Sequence, residues 1–134
     1  MLDKVWSNLP SFSIPSDIQW EFYRCFNTVA GNTIHSSWKE TYERMISDIS
    51  QLEFDVALLS CGGYGPPLCL HIFSTMNKTA IYVGGALQIL FGIKGKRWNN
   101  RADFKSFMNQ HWIKASPHEV PTNHLRVENG CYWN

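Results

Sequence analysis

Phe54–Asp55–Val56–Ala57–Leu58–Leu59–Ser60–Cys61–Gly62–Gly63–Tyr64–Gly65–Pro66–Pro67 is the stretch whose reading decides the fold. Residues 54–60 are almost continuously apolar, short and rich in strand formers, and they end at glycines. That pattern predicts a central parallel strand covered on both faces. Cys61 to Pro67 is the turn, and two prolines suit a first helical turn, where no intrahelical N–H donor is required. The helix should run over 66–76 and stop at Asn77. Thr79–Ala80–Ile81–Tyr82–Val83 reads as a second strand. Strand, helix and strand within about 30 residues make a βαβ unit, with parallel strands and a right-handed crossover. The expected class is α/β: a Rossmann-like three-layer domain with a small parallel sheet.

Upstream, Ser36 or Ser37 can cap a helix, with Glu40 as capping-box partner. Trp38, Tyr42, Met45, Ile46, Ile49 and Leu52 then form one apolar stripe at helical spacing, with Lys39, Glu43, Arg44 and Asp48 facing away. This predicts an amphipathic helix over 38–52. Residues 19–28, QWEFYRCFNT, alternate and are rich in aromatics, which favours a strand. Residues 1–19, with Pro10 and Pro15, read as an irregular lead-in with one short turn near Asp3–Trp6. Downstream, helices are expected over 86–91 and 102–112, and a surface-hugging coil over 116–134. The organisation is one domain, 1–134, with its α/β core at 20–115.

The chain has 134 residues, enough to bury a core without staples. With 44% hydrophobic and 17% charged residues it reads as globular. A net charge of +1 argues against nucleic acid or a membrane surface as partner. Six Trp, five Tyr and eight Phe exceed what a small core holds, so some should lie at an interface or a pocket rim. Cys25, Cys61, Cys69 and Cys131 form no CxxC pair and have no histidine at zinc-ligand spacing, so buried free thiols in a reducing, cytoplasmic setting are expected. No run approaches the roughly 20 apolar residues of a membrane span. The five histidines show no metal-binding spacing, and no metal site is expected.

Three groups of residues can carry chemistry. Gly62, Gly63, Tyr64 and Gly65 lie between a strand and a helix, where glycines let backbone approach a ligand and a helix start favours phosphate. The spacing is neither GxGxxG nor a Walker loop. Gly84 and Gly85 end the next strand, so the two turns should be walls of one crevice at one sheet edge. Lys94, Lys96, Arg97 and Arg101 place four cations in eight residues with no acid among them, suited to phosphate, and Trp98 could stack on a base or sugar ring. Plain turns and a solvated basic loop are the competing readings. GxSxG is absent, so no nucleophile is assigned.

Residues 54–65, the stretch Gly84–Gly85–Ala86–Leu87–Gln88–Ile89–Leu90–Phe91–Gly92–Ile93–Lys94–Gly95–Lys96–Arg97–Trp98 and the closing Gly130–Cys131–Tyr132–Trp133 resemble an uncharacterised bacterial family from surface-polysaccharide gene clusters. The resemblance covers about residues 20–134, matching the C-terminal part of longer members. More loosely, the βαβ unit resembles the C-terminal part of GT-D-type glycosyltransferases, which have a Rossmann-like fold and use a nucleotide sugar. The resemblance implies contact of Gly62, Gly63, Tyr64, Gly65, Gly84, Gly85, Gln88, Lys94, Lys96, Arg97 and Trp98 with a nucleotide sugar or phosphorylated sugar. It allows a divalent metal, whose acidic motif lies in an N-terminal portion without counterpart here.

The function expected is therefore a glycosyltransferase-like domain with no assignable general base. The alternative is a truncated, non-catalytic module that binds a ligand or pairs with a partner chain or a second copy. A nucleotide-dependent oxidoreductase is disfavoured by the missing GxGxxG and the lack of an acid after Val83.

Overall fold

The computed structural model describes residues 2–133. In chain order the elements are α1 (Leu2–Val5), α2 (Trp38–Ile49), β1 (Val56–Leu59), α3 (Gly65–Met76), β2 (Thr79–Tyr82), α4 (Leu87–Leu90), β3 (Ile93–Lys94), α5 (Lys96–Asn99), α6 (Ala102–Lys105) and β4 (Ile113–Lys114), with 3₁₀ turns at Gly62–Tyr64, Gly84–Ala86 and three places after Ser116. The fold is mixed helix and strand with two small parallel sheets. The chain divides into two compact units, Glu21–Leu87 and Met1–Trp20 with Gln88–Asn134.

The Glu21–Leu87 unit is built on the expected βαβ crossover. β1 and β2 are parallel, in register Val56↔Thr79 to Leu59↔Tyr82. Because side chains alternate along a strand, Ala57, Leu59 and Ala80 face inward and join a core of Met45, Ile49, Tyr64, Leu68 and Ile72. α3 supplies Leu68 and Ile72, one turn apart and essentially inaccessible. It ends where Asn77 turns left-handed (φ 55°), its N–H bonding Ile72 O.

The sheet differs from the expected one in a physically important way. β1 is not covered on both faces: among the described residues it pairs with β2 alone, and Val56 and Ile81 on the outer face are about half exposed, at 51% and 49%.

α2 carries its expected cap. Ser37 Oγ accepts from Glu40 N at 3.1 Å, while Glu40 accepts from Ser36 N at 3.0 Å, so both serines are used. Met45 and Ile49 are buried as the stripe predicts. Trp38 is not: it is half exposed, because the helix's first residue lies beyond the core, and its ring stacks on Tyr42 and on Tyr64 at 5.2 and 5.0 Å. Asp48 is half-buried, accepting from Tyr23 Oη and pairing with Arg44, both at 2.9 Å. The strand expected over 19–28 is absent. Within 21–28, Tyr23, Cys25 and Phe26 do pack on the core, but side-chain anchors replace a ladder: Tyr23 to Asp48, and Thr28 Oγ1 to Tyr64 Oη at 2.7 Å.

The other unit centres on Val5, Ile89, Trp98 and Trp112. The helix expected over 102–112 is a single turn, α6. It ends at Ser106, whose hydroxyl donates to Asp103 O at 3.0 Å, and Asn109 then fixes the chain beyond it: its amide donates to Lys4 O and Val5 O, each at 3.1 Å, and its carbonyl accepts from His111 N. Asparagine offers the backbone such alternatives to helix. Trp112 then turns inward, with Nε1 donating to Val5 O at 2.8 Å. A short parallel pair unforeseen in the sequence, Ile93↔Ile113 and Lys94↔Lys114, ties β3 to β4. The tail is a series of 3₁₀ turns, the first closed by a Ser116/Glu119 capping box.

The two faces of α3 make a direct test. Leu68→Ala should cost about 2–5 kcal/mol in chemical denaturation, as for other buried leucines. Phe73→Ala, at a position 70% exposed, should stay within roughly 0.5 kcal/mol of wild type. Equal costs would mean that the inner and outer faces are misassigned.

Candidate functional site

In a parallel pair both strands end on the same side, so the glycine turns after β1 and β2 occupy one sheet edge, as expected from the sequence. Gly62 (φ 54°) and Gly84 (φ 62°) open them in the left-handed region, which side chains rarely adopt. A Cβ at Gly62 or Gly63 would meet nothing within 4 Å, so this backbone is open to an incoming group. Gly65 is different. A Cβ there would run into the Tyr82 ring, so glycine at 65 lets that ring lie against the start of α3.

Tyr82 is the residue that the sequence reading missed. From the end of β2 its ring covers Gly65, its hydroxyl donates to Gly62 O at 3.2 Å, and it passes 3.8 Å from where a Gly84 Cβ would be. One half-exposed aromatic thus joins both turns. The available signal was a tyrosine at the end of a strand, one residue short of a glycine pair, with its polar tip needing a partner.

Tyr64 is buried, its hydroxyl paired with Thr28, so it supports the turn from below. The helix start contributes fewer donors than expected. Gly65 N already bonds Gly62 O, and Pro66 and Pro67 have no N–H. Backbone donation at this edge falls to the glycine turn itself.

The remaining candidates, Gln88, Lys94, Lys96, Arg97 and Trp98, belong to the other unit. There the basic loop holds the tail. Arg97 is ion-paired with Glu128 and lies 4.8 Å over the Tyr132 ring. Lys96 Nζ donates to Asn129 O at 3.3 Å, and Gln88 Nε2 to Tyr132 O at 3.3 Å. Arg101 pairs with Asp103. The acids missing from 94–101 are supplied from just beyond it and from the tail. Trp98 is buried against Phe104 rather than presented for stacking. Lys94 sits in β3.

Two shallow concavities occur in this same unit. One, of about 380 Å³, is lined by Ala115, Pro117, Val120, Pro121, Thr122 and His124; the other, of about 220 Å³, includes Leu2, Ile14, Pro15 and Trp20. Neither is lined by a candidate residue. Among the described residues no group of three or more His, Cys, Asp or Glu could hold a metal ion, and no helix is long and apolar enough to cross a membrane. No protein-family model, curated protein or solved structure matches the chain.

The packing of Tyr82 on Gly65 is measurable by a double-mutant cycle. Gly65→Ala should destabilise the protein. Adding Tyr82→Ala should recover part of that loss, with a coupling of about 0.5–3 kcal/mol as for residues in direct contact. Strict additivity in denaturant titrations would remove Tyr82 from the turn.

Proposed function

We propose that the chain is a glycosyltransferase-like domain that binds a nucleotide sugar or another phosphorylated sugar at the edge carrying Gly62–Gly63 and Gly84–Gly85. The single observation that carries this reading is the open, unshielded backbone of Gly62 and Gly63 beside a second glycine turn at the carboxyl ends of two parallel strands. Ligands of open α/β sheets bind outside those ends. In this reading amides of the turn donate to phosphate oxygens, and the Tyr82 ring gives the sugar or base a flat neighbour. The Rossmann-like three-layer assignment and the kinship with surface-polysaccharide enzymes are parts of the same proposal.

A second reading, a non-catalytic binding or interaction module, is favoured by the sheet. Val56 and Ile81 leave one face of a parallel pair apolar and half exposed, whereas parallel sheets are ordinarily covered on both faces. A partner chain or a second copy would cover it.

Gly63→Val is a clean test, because a Cβ at 63 meets open space and its φ lies outside the left-handed region. Thermal unfolding should be unchanged. Calorimetric titration with uridine and guanosine diphosphate sugars should show binding to wild type and none to the variant. Equal binding by both, or no binding by wild type, overturns the site. Release of nucleoside diphosphate on incubation would separate an enzyme from a module that only binds.

A further inference from the structure

The segment 128–133 is held against α5 in a costly conformation. Glu128 (φ 45°), Asn129 (φ 55°) and Gly130 (φ 73°) are three left-handed residues in succession. Only glycine takes that conformation freely, and glutamate lacks the short polar side chain that compensates asparagine there. Backbone of this kind persists where surrounding contacts impose it, and it clusters at ligand clamps and switch regions. The contacts that impose it here centre on α5. Glu128 Oε2 pairs with Arg97 and also accepts from the Cys131 thiol at 3.3 Å. Asn129 O accepts from Lys96 Nζ at 3.3 Å, and Cys131 O from Arg97 N at 3.0 Å. Gly95 makes room for the segment, since a Cβ there would lie 3.0 Å from both Cys131 O and Tyr132 O.

The closure is imperfect. Gln88 reaches Tyr132 O through Nε2, yet its Oε1 is buried without a hydrogen-bond partner among the described residues, as are Trp98 Nε1 and Asn99 Oδ1 of α5. Buried polar atoms left unpaired are destabilising. The Arg97–Glu128 pair, with side chains 35% and 57% exposed, contributes little in return. A strained segment is thus latched by a carboxylate on a guanidinium, the group that binds phosphate oxygens with the same fork.

We propose that Lys96 and Arg97 form a latent site for a phosphate or diphosphate group, filled in this state by the Glu128 carboxylate as an internal stand-in, and that segment 128–133 is a strap displaced by the incoming anion. The two cations are held by different acceptors, Arg97 by Glu128 and Lys96 by Asn129 O. A phosphate group has enough oxygens and charge to engage both at once, whereas a free monocarboxylate would only replace Glu128 like for like. Release of the strap also relaxes its left-handed turn. Because Glu128 is tethered, it competes at high effective concentration, so binding to the latched chain is weak. All these residues lie in one unit, and the site does not depend on binding at the glycine edge.

The test is titration of the full chain with inorganic pyrophosphate, followed by calorimetry and by hydrogen exchange at the Arg97 amide, whose acceptor is Cys131 O of the strap. Wild type should bind weakly, and its Arg97 amide should exchange faster as pyrophosphate is added; acetate should do neither. Glu128→Gln should bind about five- to tenfold more tightly, as expected for loss of an exposed ion pair and of a like charge beside the anion. Gly95→Ala, which crowds the strap and leaves Glu128 intact, should also tighten binding. Adding Arg97→Ala to Glu128→Gln should abolish the gain, whereas adding Gly63→Val should leave it, which separates this site from the glycine edge. Equal affinity of wild type and Glu128→Gln, no binding by either, a gain that survives Arg97→Ala, or saturation with the Arg97 amide still protected would overturn the proposal. Glu128 is exposed, so its variant decides the matter even if Gly95→Ala fails to fold.

Discussion

Burial of Leu68 and Ile72 between α3 and the inner face of β1–β2 is the interaction on which the Glu21–Leu87 unit depends. Parallel strands cannot be joined by a hairpin, so their pairing must be held by the crossover that connects them. The bonds flanking the ladder, Thr79 N to Asp55 O and Val83 N to Leu59 O, form only once α3 has returned the chain to the start of β1. Because that return fixes the strands as parallel, it also brings the two glycine turns to one edge. An antiparallel pairing of the same residues would have placed them at opposite ends. The candidate site is thus a consequence of the core, with no loop of its own to maintain it.

Around that core the tyrosines do a second job. Tyr23, Tyr42, Tyr64 and Tyr82 each lay a ring on an apolar surface and place a hydroxyl on Asp48, Pro67 O, Thr28 and Gly62 O respectively. A tyrosine can link chain segments because one end is satisfied by packing and the other by a hydrogen bond. This accounts for much of an aromatic content that looked excessive for so small a chain. These four rings fasten irregular backbone and turns to a modest core, while Phe22 and Phe73 of the same unit stay exposed, at 71% and 70%.

The sequence was legible where pattern is local. The apolar run of 54–60, the prolines at 66 and 67, the stop at Asn77 and the stripe of Met45 and Ile49 each report on their own neighbourhood, and each element formed near its expected place, α2 ending three residues early at Ile49. It misled where the deciding partner is distant in sequence. The alternation at 19–28 is the pattern of a strand, yet within 21–28 the stabilising groups are Asp48 and Tyr64, which anchor side chains and offer no ladder. A helix was expected over 102–112, yet it ends at Lys105, and Asn109 beyond it bonds the carbonyls of Lys4 and Val5. The β3–β4 pair is too short to leave any period at all.

Charge shows the same limit most sharply. Counted along the chain, residues 94–101 are purely basic and suggest a cradle for phosphate. In the folded unit Glu128 and the Tyr132 ring occupy Arg97, Asn129 O takes Lys96, and Asp103 takes Arg101. These groups are largely exposed, where a single ion pair contributes little to stability. Several of them acting on one short tail nevertheless decide where that tail lies. An anion binding at Arg97 would have to outcompete a carboxylate already tethered beside it, and tethering gives that carboxylate a high effective concentration. The glycine edge has no such competitor at Gly62 and Gly63, where a Cβ would meet nothing. A charge-poor stretch of backbone is for this reason a better candidate binding surface than the most basic segment of the chain.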